Sequence, residues 1–412
     1  MTSPQSLDVL MIGPFPTDES RIEGGVQASV HGLCRHLAAT DAVDRLEVVA
    51  TPRRVGGTVV HARVGDVPVT YLTAPWRFMI SSVLHVPRIV RSLRTHEGRV
   101  LHLHGSGLFE LAMLIACRIR KVPVVWTLHG ITEKETREAW RRSGARSDRL
   151  RHLLYTGCER LQLRLARTLI VDTAYVAREV AAHAKAVPSP IPQGIDFAEF
   201  ADARVAPRED PLIVSVGVIH PRKGHDHTLA AFARVVERVP EARLEVIGSL
   251  TSAEYLADLE ATIDRLGLRD KVLIRPDLER REVVDALARA RVFALHSEEE
   301  SQGIAVCEAM AAGLPVVVTE VGGLPDVVAD GGAARLVAFG DVDGFADALV
   351  DLLVDDAARA AASRAAIERG RDFDWSNIVR GVVDRYRLAV SGGSNHRAPL
   401  YPDVRRTSRS AE

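Results

Sequence analysis

Short apolar runs rich in β-branched residues alternate with amphipathic helical patterns along most of the chain. The first half contains such runs at Leu7–Ile12, Arg45–Ala50, Val67–Leu72, Val100–His104, Val124–Leu128 and Thr168–Asp172. The second half contains them at Leu212–Val218, Leu244–Gly248, Val272–Arg275, Val292–His296, Pro315–Thr319 and Leu336–Phe339. Helical patterns lie between them, for instance at Val26–Ala39, Thr228–Val239 and Glu282–Arg289. Continuous apolar strands separated by helices are typical of parallel sheets covered on both faces, so the pattern predicts an α/β fold with two doubly wound domains.

A change of composition near the middle of the chain marks a domain boundary. Three prolines within residues 188–192 interrupt regular structure, and the polar, acidic stretch Glu199–Asp210 follows. We therefore expect residues 1–195 to form the first domain and residues 196–374 to form the second.

The two ends of the chain lie outside the two predicted sets of strands. The first six residues contain neither the basic nor the apolar segment of a signal peptide. A last helical pattern, Trp375–Leu388, follows the final predicted strand. The tail at 391–412 is rich in Ser, Gly, Arg and Pro, which predicts disorder.

Composition and charge exclude several classes of protein. Lys and Arg number 53 against 54 Asp and Glu, so no overall basic field favours nucleic acid as a partner. The four cysteines lie far apart without a C-x-x-C pair, which disfavours structural zinc and a disulfide framework. Apolar runs such as Leu108–Cys117 are half as long as the roughly twenty residues of a membrane-spanning helix. We therefore expect a cytoplasmic protein.

Ligands of open α/β sheets bind beyond the carboxyl ends of the strands, so the loops there are the candidates for chemistry. After the first predicted strand, Gly24 and Gly25 precede a helix. Glycines let the backbone approach a ligand, and the free N–H groups of a helix N-terminus attract anions. The alternative is a plain flexible loop.

Three histidines end two predicted strands of the first half. His102 and His104 share one face of a strand, and His129 follows the next strand. No carboxylate or cysteine joins them at the spacing of metal ligands, which favours separate hydrogen bonds over a metal site. His129 remains a candidate for contact with a substrate.

Arg222 and Lys223 follow the first strand of the second half and precede a helix. Arginine can bind phosphate through two hydrogen bonds and lysine adds a compact charge, so the pair is a candidate anion site. The alternative is a solvated pair of charges at the tip of a loop.

The segment Ser297–Gly313 combines acids with a helix start. Glu300 lies in the loop before a predicted helix that begins near Ile304, and Glu308 lies one turn inside that helix. Free N–H groups near Gly303, Ile304 and Ala305 could receive phosphate while both carboxylates accept from hydroxyls, as a sugar nucleotide requires. The alternative is an acidic helix start stabilised by the helix dipole.

Taken in order, these motifs resemble those of the retaining glycosyltransferases of family 4. The motifs are Gly24-Gly25, His129, Pro192-Gln193-Gly194-Ile195-Asp196, Arg222-Lys223-Gly224, Glu300 and Glu308 separated by seven residues, Ala309-Met310-Ala311-Ala312-Gly313-Leu314-Pro315-Val316 and Gly322-Gly323. The resemblance covers about Leu7 to Leu388 and implies the GT-B fold, in which two Rossmann-like domains face each other across a cleft. It also implies that a terminal helix, at about residues 375–390, crosses back onto the first domain.

The resemblance implies a nucleoside diphosphate sugar as donor and a glycan, lipid-linked or small-molecule acceptor. The residues that would act on the donor, in catalysis or in binding, are listed with their implied partners: Arg222 and Lys223 with the diphosphate; the backbone of Gly24, Gly25, Gly303, Ile304 and Ala305 with the same phosphates; Glu308 with the ribose; Glu300 with the sugar; and His129 near the sugar 6-hydroxyl.

Fixed cations and helix N-termini can stabilise the departing diphosphate, so we expect no divalent metal and no other cofactor. Asp341 and Asp343 could suggest a metal, but a turn before the Phe345–Leu353 helix explains them. Retention in the family is usually explained by attack on the same face without a protein nucleophile, and a phosphate oxygen could take the acceptor proton.

Two positions depart from the family pattern. Ser301 and Gln302 stand where a Gly-Phe type of pair is more usual, so the sugar pocket can differ. Arg275, near the expected nucleobase site, stands where a small residue is common, and it could stack on the base or bind Asp277.

The region Arg137–Arg167 is rich in arginine and leucine. A basic amphipathic helix can lie on anionic lipid or bind an anionic acceptor, so we expect a peripheral contact with the inner face of the cell membrane as one reading. The other reading is a solvated helix face.

Two rival functions remain at this point. A nucleotide-sugar epimerase on a similar fold would need further carboxylates in the cleft, and a non-catalytic sugar-nucleotide binding protein would need only the binding groups. A dinucleotide dehydrogenase is disfavoured because no G-x-G-x-x-G follows the first strand.

Overall fold

The computed structural model describes residues 6–18, 22, 24–50, 59–72, 82–93, 98–205 and 208–393. Most of the tail that was expected to be disordered, residues 394–412, therefore lies outside the described residues.

The described elements alternate between strands and helices, as the sequence predicts. The strands are β1 (Leu7–Ile12), β2 (Val43–Ala50), β3 (Val60–Val64), β4 (Val67–Tyr71), β5 (Arg99–His104), β6 (Val124–Leu128), β7 (Thr168–Val171), β8 (Ser189–Pro190), β9 (Leu212–Val216), β10 (Arg243–Gly248), β11 (Val272–Pro276), β12 (Val292–Leu295), β13 (Val316–Thr319) and β14 (Ala334–Val337).

The helices lie between these strands and after the last one. They are α1 (Gly25–Ala38), α2 (Val86–Ser92), α3 (Leu108–Ile119), α4 (Thr132–Ser143), α5 (Arg146–Leu165), α6 (Ala174–Val180), α7 (Ala201–Val205), α8 (His225–Arg238), α9 (Ala253–Arg265), α10 (Arg280–Arg289), α11 (Ile304–Ala311), α12 (Leu324–Val328), α13 (Val342–Val354), α14 (Asp356–Arg371) and α15 (Trp375–Val390). None of the described helices is long and apolar enough to cross a membrane.

Two sheets form the frame of the molecule. The first has the strand order β3-β4-β2-β1-β5-β6-β7-β8 and the second has the order β11-β10-β9-β12-β13-β14. The β3–β4 pair is antiparallel, whereas the other pairs of both sheets are parallel. In each sheet the chain first builds outward on one side of the starting strand and then on the other, so a crevice opens between β1 and β5 and between β9 and β12. This doubly wound pair of sheets confirms the predicted α/β architecture.

Helix α15 packs on the first sheet although it follows the second sheet in the chain. Trp375, Ile378 and Tyr386 are buried in the same apolar cluster as Val9 of β1. Close packing requires glycine at residue 194, because a Cβ there would overlap the Trp375 ring. The last helix thus ties the end of the second domain to the first domain.

Candidate functional site

The Arg222–Lys223 turn lies against the loop that carries Glu300. The Glu298 N–H donates to the Arg222 carbonyl at 2.9 Å. Gly224 has φ +60°, and a Cβ at this position would overlap the His296 carbonyl, so glycine is required where the turn passes β12. The loops after β9 and β12 are therefore packed together at the crevice of the second sheet.

Lys223 and Glu300 form an ion pair at this crevice. The Lys223 Nζ donates to Glu300 Oε1, and the Ser297 Oγ donates to the same oxygen at 2.8 Å. The side chains are 16% and 9% exposed, so water screens this pair little. The family resemblance assigns Lys223 to the diphosphate and Glu300 to the sugar of the donor. The structure shows that these two side chains also pair with each other.

The N-terminus of α11 completes this side of the cleft. Gly303 caps the helix, and the N–H groups of Ile304 and Ala305 lie in its first turn, where no intrahelical acceptor exists. Across the cleft, α1 begins at Gly25, and a Cβ built on Gly25 would stand 3.5 Å from Ile304 Cδ1. The two helix N-termini thus meet face to face, with Gly24 preceding α1 at φ +83°.

Arg222 also faces the first domain. Its Nη1 lies 3.7 Å from Glu135 Oε1 on α4, and its side chain is partly exposed. Arg222 and Lys223 therefore lie where the second domain faces the first, near the loop that leads into α11, and the anion site itself stays a prediction.

Glu308 is engaged by a residue that the sequence did not single out. Arg280 Nη1 donates to Glu308 Oε1 at 2.6 Å, and Arg280 Nη2 donates to Glu199 Oε2 at 2.6 Å. Burial raises the pKa of Glu308, and the neighbouring Arg280 charge opposes that rise. Arg280 and Glu308 are 28 positions apart in the sequence, so no local sequence signal predicts this contact.

One of the two contacts considered for Arg275, the one with Asp277, is wrong, and stacking on a nucleobase stays a prediction. Arg275 lies inside β11, where its Nη2 donates to Glu282 Oε1 at 3.0 Å. Asp277 is engaged elsewhere, because its Oδ1 accepts from the Leu250 N–H at 3.1 Å. Arg275 therefore does not bind Asp277, and its guanidinium is paired with an acid instead of free.

The three histidines of the first domain form a buried cluster. His102 Nδ1 lies 2.7 Å from the Tyr386 hydroxyl, and His104 Nδ1 lies 2.8 Å from His129 Nε2. Burial and the neighbouring His129 lower the pKa of His102 to about 3, and burial lowers the pKa of His104 well below its usual value. His102 and His104 are therefore neutral at physiological pH. Among the described positions, no group of three or more His, Cys, Asp or Glu residues is arranged to hold a metal.

The His129 ring faces the protein interior. Its Nδ1 lies 3.5 Å from Asp172 Oδ1, and its side chain is 5% exposed. Both ring nitrogens therefore face protein groups, with His104 Nδ1 on one side and Asp172 Oδ1 on the other. The expected contact with the sugar 6-hydroxyl stays a prediction.

A chain of hydrogen bonds leads from Asp172 to the second domain. Gln193 Nε2 donates to Asp172 Oδ2 at 2.7 Å. The Gln193 backbone N–H donates to Gln302 Oε1 at 2.7 Å, and Gln302 Nε2 donates to the Gln193 carbonyl at 2.9 Å. Gln302, noted in the sequence as a departure from the family pattern, therefore acts as a clamp between the domains.

The late Asp341-Val342-Asp343 segment is the turn that the sequence favoured. Asp341 Oδ1 accepts from the Gly344 N–H at 2.9 Å and caps α13. The contacts of Asp341 therefore indicate no role in the cleft for this segment.

Helix α5, in the basic region of the first domain, presents several leucines outward. Leu150 and Leu153 are 68% and 59% exposed, while Glu159 and Gln162 of the same helix are buried. The outward leucines Leu150, Leu153, Leu154 and Leu161 recur at helical spacing, and the exposed Arg164 continues the same stripe. Exposed apolar patches beside polar residues are typical of interaction surfaces.

Two family models match the chain in succession. The model of Glycosyltransferase Family 4 matches residues 23–199, and that of Glycosyl transferases group 1 matches residues 196–369. Similar proteins include a phosphatidyl-myo-inositol mannosyltransferase of Mycolicibacterium smegmatis, 31% identical over 93% of this chain and 94% of the relative. A D-inositol 3-phosphate glycosyltransferase of Xylanimonas cellulosilytica is 36% identical over 48% of this chain and 51% of the relative.

Solved structures with the same fold have lower sequence identity. A sucrose-phosphate synthase of Thermosynechococcus elongatus covers 94% of this chain and is itself covered completely, with a TM-score of 0.75 and 21% identity. HepE of Anabaena in complex with UDP-glucose covers 92% of this chain, with 98% of its own length matched, a TM-score of 0.68 and 20% identity. The fold is therefore the GT-B fold of glycosyltransferases.

Proposed function

The chain belongs to glycosyltransferase family 4, and we propose that it transfers a hexose from a nucleoside diphosphate sugar with retention of configuration. The observation that carries the proposal is the meeting of the Lys223–Glu300 pair, Arg222 and the N-terminus of α11 at one cleft. Such a cleft combines donors for phosphate with acceptors for hydroxyls, and a sugar nucleotide requires both.

The proposed catalysis is electrostatic. As the anomeric bond breaks, the departing diphosphate gains negative charge, which Lys223, Arg222 and the N–H groups of Ile304 and Ala305 stabilise from fixed positions. No divalent metal is required for this role in the proposal. Glu300 accepts from Lys223 and Ser297, which suits a group that orients a sugar hydroxyl better than a nucleophile. An oxygen of the departing phosphate then takes the proton of the attacking hydroxyl.

The acceptor that we propose is an inositol carried by a lipid. The similar proteins named above act on phosphatidyl-myo-inositol and on D-inositol 3-phosphate. The exposed leucines of α5, with Arg164 beside them, favour an acceptor at an anionic lipid surface over one in solution. The first domain would then lie against the cytoplasmic face of the membrane.

A transfer assay tests the function. We expect UDP, GDP or another nucleoside diphosphate from a panel to raise the melting temperature, and the matching sugar nucleotide to glycosylate phosphatidylinositol in vesicles in the presence of EDTA. Lys223→Ala is expected to lower turnover about 10²- to 10³-fold, because one fixed donor to the developing charge is lost. Lys271→Ala is the matched control and is expected to keep the parental turnover. Lys271 precedes β11, so it lies at the amino ends of the strands, opposite the edge where Lys223 follows β9.

Three results would contradict the proposal in separable ways. Parental turnover of Lys223→Ala would refute the diphosphate site. An inverted anomer in the product, read by NMR, would refute retention. Transfer to free inositol phosphate but not to the vesicle lipid would refute the lipid acceptor while leaving the enzyme class intact.

A further inference from the structure

Arg280 stands beside the proposed donor site without a role in the proposed function. It begins α10 and reaches both the donor-side helix α11 and the linker that follows the first domain. Its Nη1 donates to Glu308 Oε1 at 2.6 Å, and its Nε lies 3.1 Å from both carboxylate oxygens of Glu199. One guanidinium therefore joins a buried carboxylate of the site to a carboxylate of the linker.

The contacts of Arg280 fix its orientation. Three of its nitrogens face carboxylate oxygens, and its Cζ lies 5.3 Å from the centre of the Phe200 ring. A planar guanidinium held on several sides at once loses its freedom to rotate, and a lysine could not reproduce that geometry. Glu308 Oε1 is consequently held in one position, which leaves Oε2 to the donor.

The surroundings of Glu308 otherwise oppose its charge. The side chain is 14% exposed, and burial followed by the nearby Glu199 and Asp196 carboxylates raises its pKa. The adjacent Cys307 thiol is neutral, because burial raises its pKa to about 12. Among the described residues, Arg280 is the cation that pairs with Glu308.

We propose that Arg280 is a positioning residue that keeps Glu308 ionised and oriented to accept the ribose hydroxyls of the donor. The inference rests on the proposed function, because it takes Glu308 as the ribose acceptor. The Arg280 charge offsets the cost of burying the Glu308 carboxylate, which explains how a buried carboxylate can bind the ribose. Through Glu199, Arg280 also connects the ribose site to the segment that follows the first domain.

The test measures the affinity for UDP and for GDP by calorimetry at about pH 6, pH 7 and pH 8.5. Each dissociation constant is divided by that of the parent at the same pH, because the nucleotide phosphates titrate as well. The variants are Arg280→Met, Arg280→Gln and Arg280→Lys, with Glu199→Gln as the control that removes the other partner of Arg280. Thermal unfolding at each pH verifies folding, and Arg280→Gln serves if Arg280→Met does not fold.

Without the cation, the pKa of Glu308 is expected to rise further, so more of the carboxyl is protonated as the pH falls. The ratio for Arg280→Met and Arg280→Gln should therefore increase toward low pH, by up to about tenfold for each unit below the new pKa. Arg280→Lys retains the charge without the fork, so its ratio should exceed one by a factor that does not change with pH. Glu199→Gln removes a negative charge that raises the pKa of Glu308, so its ratio should not increase toward low pH.

A ratio for Arg280→Met and Arg280→Gln that is constant with pH would overturn the inference, because a packing role alone gives no titration. Glu308→Ala separates this failure from failure of the proposed function. If Glu308→Ala binds both nucleotides as the parent does, the ribose assignment itself is wrong. If Glu308→Ala binds at least tenfold more weakly while Arg280→Met shows no pH trend, the ribose assignment stands and the role of Arg280 is refuted.

Discussion

The donor face of the second domain and the histidine cluster of the first domain are built in different ways. The donor face, defined as Ser297–Gly313 with Arg222 and Lys223, is mostly one continuous loop-helix segment that follows β12. The histidine cluster, His102, His104 and His129, is assembled from two neighbouring strands and from Tyr386 of α15. A site of the first kind leaves its pattern in the sequence, whereas a site of the second kind depends on contacts between distant positions.

The two regions also differ in charge. The donor face contains the ion pair Lys223–Glu300, and its Glu308 pairs with Arg280 of α10. The histidine cluster is neutral where it is deepest, since burial lowers the pKa of His102 and His104. Under the proposed function, stabilisation of the departing diphosphate would fall to the donor face.

Among the substitutions that distinguish the two regions, Glu308→Ala is expected to have the largest effect. Glu308→Ala removes a charged acceptor from the ribose hydroxyls, which should weaken nucleotide binding by about 1.5–3 kcal/mol. Calorimetric titration measures it, with Glu254→Ala in the exposed first turn of α9 as a matched control. Equal affinities for the parent and both variants would break the assignment of ribose to the donor face.

A smaller effect is expected where the two regions meet, at Gln302. Gln302→Met keeps the volume but leaves the buried N–H and carbonyl of Gln193 without partners, which should lower the free energy of unfolding by about 1–3 kcal/mol. Urea denaturation measures the loss, and the KM values for donor and acceptor should both increase if the clamp aligns the domains. An unchanged midpoint and unchanged kinetics would show that the regions are independent.

The smallest effect is expected on the outer surface of the first domain. Arg164→Ala should weaken binding to vesicles that contain phosphatidylinositol by about 1 kcal/mol, the contribution of one basic residue at an anionic surface. Co-sedimentation measures it, and Arg269→Ala, on the second domain and paired with Asp264, is the control. An electrostatic contact would be contradicted if the parent bound neutral vesicles but not vesicles that contain phosphatidylinositol.

Sequence patterns predict the framework well because burial repeats at short periods. The predicted run Leu7–Ile12 is β1 and Val124–Leu128 is β6, while α1 and α10 begin within two residues of their predicted starts. The edge strand β3 escaped prediction because its side chains are mostly exposed and its apolar residues do not form a run. The two-residue β8 escaped because prolines surround it.

The candidate site was predictable only in part, for a physical reason. Arg222, Lys223, Glu300 and Glu308 follow strands or start helices, so the topology alone places them at one edge. Arg280, Asp172 and Gln193 act through partners up to 109 positions away, and no periodic pattern encodes such a pair. The same limit explains Arg275, whose acid partner Glu282 is known only once β11 and α10 are in place.

The most direct test of the proposed donor site is a crystal structure of the protein with the nucleoside diphosphate that the panel selects. We expect the β-phosphate within hydrogen-bond distance of Lys223 Nζ and of the N–H groups of Ile304 and Ala305, with the ribose hydroxyls on Glu308. A nucleotide bound away from this cleft, or bound in it with the phosphates turned away from Lys223, would contradict the claim.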